Sequence, residues 1–184
     1  MPRITPINPD NAQGKAKDLL GAVQQAMGAT PNIFTTMANA PAALEGLLGL
    51  NGALASGALS PQLREKIALV TAGQNGCDYC ASAHTYLGNK AGIEADELAS
   101  NLKGQSFEAK DNAALTFASQ LIESRGRVTE SDVQAVRDAG FNDEDIIEIL
   151  AHVALNTFTN YFNEAFQTEN DFPAVSTAET RKAA

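Results

Sequence analysis

The chain has 184 residues, 44% of them hydrophobic, with 22 acidic and 13 basic side chains and a net charge of −9. This length and composition predict a single globular domain over residues 1–184. The acidic balance argues against non-specific binding of nucleic acid or of anionic membranes. No apolar run approaches the roughly 18 residues of a membrane span, and the N-terminus lacks a signal-peptide pattern. We therefore expect a soluble, cytoplasmic protein.

Nearly every segment has helical periodicity, and Pro, Gly and capping residues mark the ends. The predicted helices cover residues 11–27, begin again near Pro31, Pro41 and Pro61, run from Cys77 to about Gly92, and then cover 94–102, 107–124, 130–139 and 142–166. Strand signals are weak because alternating β-branched runs are few. The predicted fold is therefore an all-α bundle. The tail from Asn170 to Ala184 is polar and small, which is typical of an end that is loose or wraps a partner.

Residues 77–84, CDYCASAH, contain both cysteines of the chain and one of its two histidines. On a helix, Cys77, Cys80 and His84 fall within an arc of about 60°, and the last two can touch. The unpaired N–H groups at the helix start favour a thiolate at Cys77, whereas His84 favours one at Cys80; both stay open. A purely structural disulfide is disfavoured in reducing cytosol. The octet predicts a redox-active dithiol, with simple packing in the core as the plainer alternative.

The helix before the octet is apolar on two sides, which predicts neighbours on both. One arc consists of Leu63, Ile67 and Val70, and the other of Ala68, Leu69 and Ala72. Glu65 falls within the second arc, so we expect its carboxylate to be buried or to line a cleft. Burying a carboxylate is costly unless it is paired or protonated, and that placement is typical of a proton-transfer residue. The alternative is a rim glutamate paired with Arg64, Lys66 or solvent.

The stretch EKIALVTAGQNGCDYCASAH resembles the core motif of the AhpD alkylhydroperoxidase and carboxymuconolactone decarboxylase superfamily. The motif is a glutamate, eleven residues, and then Cys-x-x-Cys-x-x-x-His, and Glu65 to His84 match it without a gap. The match is densest over about residues 60–92, and residues 158–163 (FTNYFN) are similar to the peroxidase-related branch. The cysteine pair is characteristic of the redox members. The resemblance implies a single AhpD-like helical domain.

The resemblance also implies roles for the matched residues. Cys80 would attack a peroxide, and Cys77 would then form a disulfide with it. His84 would relay the proton from Cys80, with Glu65 as the base behind it. One position departs from the pattern: AhpD has a second histidine next to the second cysteine, where this chain has Tyr79. A tyrosine donates a hydrogen bond but does not titrate near neutrality.

The implied function is a thiol-dependent peroxidase, an antioxidant oxidoreductase that reduces hydrogen peroxide or organic hydroperoxides. No cofactor is expected to be bound, because the resemblance implies an external dithiol reductant such as a lipoyl or thioredoxin-like protein. It also implies a homo-oligomer, commonly a trimer or hexamer. We expect no nucleic-acid or membrane partner.

Three alternatives stay open. The first is a decarboxylase or isomerase of small acids that uses Glu65 and His84 as acid and base. The second is a dithiol–disulfide oxidoreductase that does not act on peroxide. The third is a zinc site formed by Cys77, Cys80, His84 and either Glu65 or His152, but ligands at such positions of one helix converge poorly on a tetrahedron. We therefore predict no metal.

The last predicted helix carries a polar line within an apolar sequence. His152, Asn156, Asn160 and Asn163 recur at spacings of four, four and three residues. The line indicates a solvated face, a hydrogen-bonded seam between helices, or a wall that faces the dithiol. In the last case His152, Asn156 and Asn160 would line the site together with Tyr79.

Overall fold

The computed structural model describes residues 1–178, and the last six residues of the predicted tail, 179–184, lie outside this part. Its regular structure is entirely helical, so the all-α prediction is confirmed for the residues described. A short 3-10 turn at Pro9–Asn11 is followed by nine α-helices in this part of the chain. They are α1 Gly14–Met27, α2 Asn32–Met37, α3 Pro41–Ala55, α4 Pro61–Asn75, α5 Asp78–Lys90, α6 Ala95–Leu102, α7 Ala109–Ser124, α8 Glu130–Asp138 and α9 Asp143–Phe166. None of these helices has both the length and the apolarity that a bilayer span requires.

The helix ends follow from local capping. Ser60 accepts a hydrogen bond from the backbone of Leu63 at the start of α4, and Thr129 and Asn142 form capping boxes that start α8 and α9. Gly76 ends α4 with a φ of 70°, a left-handed conformation that favours glycine. The predicted start of α1 is too early, because residues 9–11 form the 3-10 turn instead.

Helix α4 is the central element and packs against α5, α6, α7 and α9. Leu63, Ile67 and Val70 are buried in a cluster with side chains of α7, α8 and α9. Leu69 and Ala72 are buried in a second cluster, which includes both cysteines. The two predicted apolar arcs are therefore confirmed as two packed faces. Glu65, on the same helix, is partly buried.

A buried ion network joins α4 to α6 and α7. Nζ of Lys66 lies 2.8 Å from both Glu97 and Asp111, and the Lys66 side chain is only 7% exposed. Burial would raise the pKa of Glu97, but Lys66, Ser106 and other donors outweigh it and lower that pKa to about 2. Lys66 is thus committed to this network and is not available to Glu65.

The C-terminal segment packs along α5. Ser82 Oγ accepts hydrogen bonds from the side chain of Asn170 and from the backbone of Val175, both at 2.9 Å. Asp78 Oδ1 accepts two more from Thr177, one from its backbone and one from its hydroxyl. The prediction of a loose tail is therefore wrong for residues 170–178. The small polar side chains of this segment hydrogen-bond to polar groups on one face of α5. Such contacts leave no periodic pattern in the sequence from which they could be predicted.

Candidate functional site

The two cysteines lie where α4 turns into α5. The backbone N–H of Cys77 bonds to Ala72 O at 3.0 Å, which closes α4, and its Sγ accepts a hydrogen bond from the backbone of Cys80 at 3.3 Å, which caps α5. Both thiols are free and buried, with exposures of 0% for Cys77 and 3% for Cys80. Their side chains also hydrogen-bond to each other. The two sulfurs are therefore adjacent.

The cysteines have opposite protonation preferences. Burial would raise the pKa of Cys80, but the hydrogen bond from Cys77, the charge of His84 and the amide of Asn163 outweigh it, so that pKa is lowered to about 7. The hydrogen bond to Cys80 and burial both raise the pKa of Cys77. A helix start therefore does not make Cys77 the thiolate, because its sulfur faces a neighbour that ionises first. Cys80 is the more acidic thiol.

Glu65 and His84 form a pair beside this thiol. Nδ1 of His84 lies 2.8 Å from Oε2 of Glu65, and each side chain is 22% exposed. The alternative partner Arg64 instead donates to the carbonyls of Leu54 and Ala55. Burial lowers the pKa of His84, but the Glu65 carboxylate raises it more, and the negative charge of Cys80 adds to this effect. The net result is a raised pKa, which favours an imidazolium close to the Cys80 thiolate.

The polar line of α9 is buried along its whole length, so its interpretation as a solvated face is wrong. Asn163 Nδ2 donates to Cys80 Sγ at 3.2 Å, and Asn156 hydrogen-bonds to His84. Asn160 accepts from Asn75 at 2.9 Å, which ties α9 to α4, and its side chain also helps to lower the pKa of Cys80. The polar line thus forms part of the wall beside the dithiol and also a hydrogen-bonded contact between helices. Asn163 was not among the predicted lining residues.

A cavity of about 280 Å³ opens onto this group. Cys80, His84 and Glu65 line it, together with Tyr79, whereas Cys77 lies behind Cys80 and does not line it. The remaining walls are largely apolar and come from α2, α3, α9 and the C-terminal segment. They include Ile33, Phe34, Leu47, Leu48, Leu155 and Phe172. A small molecule in this cavity would meet the more acidic of the two thiols first.

A second cavity, of about 220 Å³, lies on the other side of the Glu65–His84 pair. Arg64 and His152 line it, so it is more polar than the first. Burial and the charge of Arg64 lower the pKa of His152, while Glu148 and Glu65 partly oppose them. Its Nε2 is buried with no hydrogen-bond partner among the described residues. His152 therefore neighbours the pair rather than the sulfur.

Tyr79 is an anchor in this structure. Its hydroxyl donates to Asp171 at 2.8 Å and accepts from the backbone of Ile33 at 3.3 Å. Burial and the charge of Asp171 raise its pKa, so the phenol stays neutral. Sequence reasoning missed Asp171 and Phe172, because the tail has no pattern that points toward α5. Within residues 1–178, no three His, Cys, Asp or Glu side chains are grouped so that they could hold a metal ion.

Comparison with known proteins gives one family match and several similar structures. The model of the carboxymuconolactone decarboxylase family matches residues 41–124, from the start of α3 to the end of α7, and this range includes Glu65, Cys77, Cys80 and His84. No curated protein is similar enough in sequence to count as a match.

The structural matches span almost the whole chain. A peroxidase-related protein from Ralstonia eutropha JMP134, described as an alkylhydroperoxidase AhpD core, is 27% identical over 92% of each chain, with a TM-score of 0.81. A peroxidase-related protein from Silicibacter sp. TM1040 is 23% identical over 97% of this chain and 94% of its own, with a TM-score of 0.79. The debrominase Bmp8 is 21% identical over 96% and 95%, with a TM-score of 0.77. The latter two are evidence for the fold alone.

Proposed function

The chain belongs to the superfamily of AhpD-like proteins and carboxymuconolactone decarboxylases, and from this premise we propose that it is a thiol-dependent peroxidase. It would reduce hydroperoxides through a disulfide between Cys77 and Cys80. The observation that carries the proposal is the position of Cys80. This low-pKa thiol lines the cavity, its partner thiol lies directly behind it, and a histidine–glutamate pair lies beside it.

In the first step the Cys80 thiolate attacks the terminal oxygen of a hydroperoxide. The O–O bond breaks, the sulfur becomes a sulfenic acid, and the alkoxide leaves. His84 supplies the proton that turns the alkoxide into an alcohol, and Glu65 stabilises the imidazolium before transfer and orients its ring. The hydrogen bond from Asn163 stabilises the attacking thiolate.

In the second step the sulfur of Cys77 attacks the sulfenic sulfur of Cys80. The S–O bond breaks, a disulfide forms, and the hydroxyl leaves as water with the proton of the Cys77 thiol. An external dithiol then reduces the disulfide and is itself oxidised. Because Cys80 is only 3% exposed, a slender lipoyl-type arm fits this requirement better than the flat surface of a thioredoxin-like protein.

The same cavity bears on the alternatives. Cys80 is only 3% exposed, so a disulfide on the surface of another protein would not reach its sulfur. This favours a small oxidant over a protein disulfide. A decarboxylase or isomerase would need Glu65 and His84 but not the cysteines, and the hydrogen bond between Asn163 and Cys80 would then serve no chemical step. The debrominase Bmp8 has been solved with 2,3,4-tribromopyrrole, so a brominated pyrrole is a useful comparison compound.

The test is a peroxide-consumption assay with lipoamide-type and thioredoxin-type dithiols as reductants. Wild type, Cys80→Ser and Cys77→Ser are compared with Asn89→Ala, an exposed position of the same helix that keeps both thiols. We expect turnover in wild type and Asn89→Ala, none in Cys80→Ser, and at most a single oxidation in Cys77→Ser. Turnover that survives the loss of both cysteines would point to acid–base chemistry by Glu65 and His84 instead.

A further inference from the structure

We propose that Asp171 and Phe172, in the C-terminal segment 170–177, determine which oxidants react at Cys80. Phe172 adds an apolar wall to the cavity and Asp171 holds the segment in place, and this wall favours hydroperoxides that carry a bulky apolar group over hydrogen peroxide. The inference deepens the proposed peroxidase function and rests on it for the identity of the substrate. The contacts that form the wall do not depend on peroxide chemistry.

Phe172 forms part of the cavity wall and is held by two rings of α5. Its ring centroid lies 5.7 Å from that of Tyr79, edge to face, and 5.8 Å from that of Tyr86. Because Tyr79 and Tyr86 are seven residues apart, they lie on the same side of the helix, and the phenyl ring sits between them. Cys80 is on this helix as well. The wall and the sulfur are therefore positioned by one rigid element.

Asp171 connects the segment to two sides of the cavity. One carboxylate oxygen accepts from the hydroxyl of Tyr79 at 2.8 Å, and the other accepts from the backbone N–H of Asn32 at 2.9 Å, in the first turn of α2. Helix α2 contributes Ile33 and Phe34 to the same cavity. The loss of this carboxylate would remove one hydrogen bond to α5 and one to α2, and Phe172 would be held less firmly at the cavity.

The segment is also fastened to the residues that separate the two cysteines. Asp78 accepts two hydrogen bonds from Thr177, and Tyr79 donates to Asp171. These two positions are the x-x of the Cys-x-x-Cys motif. These hydrogen bonds come from Thr177 and Asp171, so the ring of Phe172 can be removed without breaking the contacts that hold the dithiol loop.

This arrangement has a consequence for selectivity. The organic group of a bulky hydroperoxide would bury apolar surface against Phe172 and its neighbours, whereas hydrogen peroxide has no such group. Contacts of this kind change discrimination by about tenfold or more per well-packed group. The wall should therefore change the reaction with the bulky substrate and leave that with the small one nearly unchanged.

The experiment compares Phe172→Ala with wild type on cumene hydroperoxide and on hydrogen peroxide. We expect kcat/KM for cumene hydroperoxide to fall about tenfold, mainly through KM, and that for hydrogen peroxide to stay within about twofold. The matched control is Phe166→Ala, because this ring packs against Phe162 and does not line the cavity. An equal change for both peroxides, or the same selectivity change in the control, overturns the inference.

A second measurement tests the wall without peroxide. Cys80 is alkylated with iodoacetamide, which is small, and with N-phenylmaleimide, which is bulky, in wild type, Asp171→Ala and Asp171→Asn. Loosening the wall should lower the rate with the bulky reagent several-fold more than the rate with the small one, because its phenyl group loses contact with Phe172, and Asp171→Asn serves if the alanine variant does not fold. Equal changes overturn the inference whatever the peroxide assays give. If wild type consumes no peroxide, the proposed function fails while this measurement still decides whether the wall exists.

Discussion

The side-chain amide of Asn163, near the end of α9, donates a hydrogen bond of 3.2 Å to the sulfur of Cys80, in the first turn of α5. The bond joins residues that are 83 positions apart in the chain. It stabilises the thiolate more than the thiol, because a charged acceptor makes the stronger bond. The acidity of Cys80 therefore depends on the packing of α9 against α5 as well as on its own helix.

The substitution Asn163→Leu keeps the branched shape and the number of side-chain heavy atoms and removes the donor. We expect the pKa of Cys80 to rise from about 7 to about 8 or 9, because a hydrogen bond to a charged group contributes roughly 1.5–3 kcal/mol. The rate of iodoacetamide alkylation against pH gives this pKa, and the exposed Asn89→Ala on α5 is the control. An unchanged pKa in Asn163→Leu would show that the amide does not stabilise the thiolate.

His152 lines the second cavity beside Glu65 and His84, away from the sulfur. Its lowered pKa keeps it neutral at pH 7, so it can accept a proton and pass it to the pair. We expect His152→Ala to reduce peroxide turnover about tenfold with the pKa of Cys80 unchanged, and added imidazole to restore part of the rate. If His152→Ala turned over peroxide as fast as wild type, His152 would have no role in proton transfer and would only pack in the fold.

The ion network between α4, α6 and α7 makes stability depend on pH. The pKa of Glu97 is lowered from 4.5 to about 2 in the folded chain, so its carboxylate stabilises the fold above about pH 4.5 and loses this effect as the pH falls toward 2. Glu97→Gln should lower the free energy of unfolding by about 3 kcal/mol at pH 7, because it weakens the pairing of buried Lys66. Urea unfolding from pH 7 to pH 3 measures the difference.

The gap between wild type and Glu97→Gln should shrink steadily toward the acid end of that range. Asp96→Asn, an exposed acidic position on the same helix, should stay within about 0.5 kcal/mol of wild type throughout. A gap that is constant with pH would mean that Glu97 stabilises the fold through packing and not through its charge.

The outer face of α9 carries an apolar line, defined by Ile147, Leu150, Phe158 and Tyr161, which are 68%, 49%, 43% and 63% exposed. Their spacing places them on one side of the helix, as in helices that pack against another subunit. We expect a homo-oligomer through this face, a trimer or hexamer, and Leu150→Glu should dissociate it. Light scattering after size exclusion measures the mass, with Phe107→Glu, exposed but off the line, as control. A monomeric wild type would contradict the prediction.

The fold and part of the site were predictable because their signals are local. Ser60 and Gly76 mark the ends of α4 by capping chemistry, and the two-sided helix between them indicated the placement of Glu65. The contact between Glu65 and His84 spans only 19 residues and two consecutive helices. Short separations of this kind leave few ways to pack the chain, so periodicity was sufficient.

Other parts of the site depend on contacts that no local pattern encodes. Four polar residues on α9, at spacings of four, four and three, looked equivalent, but in the structure Asn163 donates to the sulfur of Cys80 and Asn160 also accepts from Asn75 of α4. The bond between Tyr79 and Asp171 spans 92 residues and ends in an irregular segment. The protonation order of Cys77 and Cys80 likewise follows from their mutual hydrogen bond, which helix geometry alone does not determine.

The central claim is that Cys80 is oxidised first and that Cys77 then forms a disulfide with it. The most direct measurement is the mass of the peptide that contains residues 77–80 after one equivalent of hydroperoxide at pH 7. We predict a loss of two hydrogens in wild type, a dimedone-trapped sulfenic acid on Cys80 in Cys77→Ser, and no oxidation of Cys77 in Cys80→Ser. Free thiols in treated wild type, or faster oxidation of Cys77 than of Cys80 in the single variants, would contradict the claim.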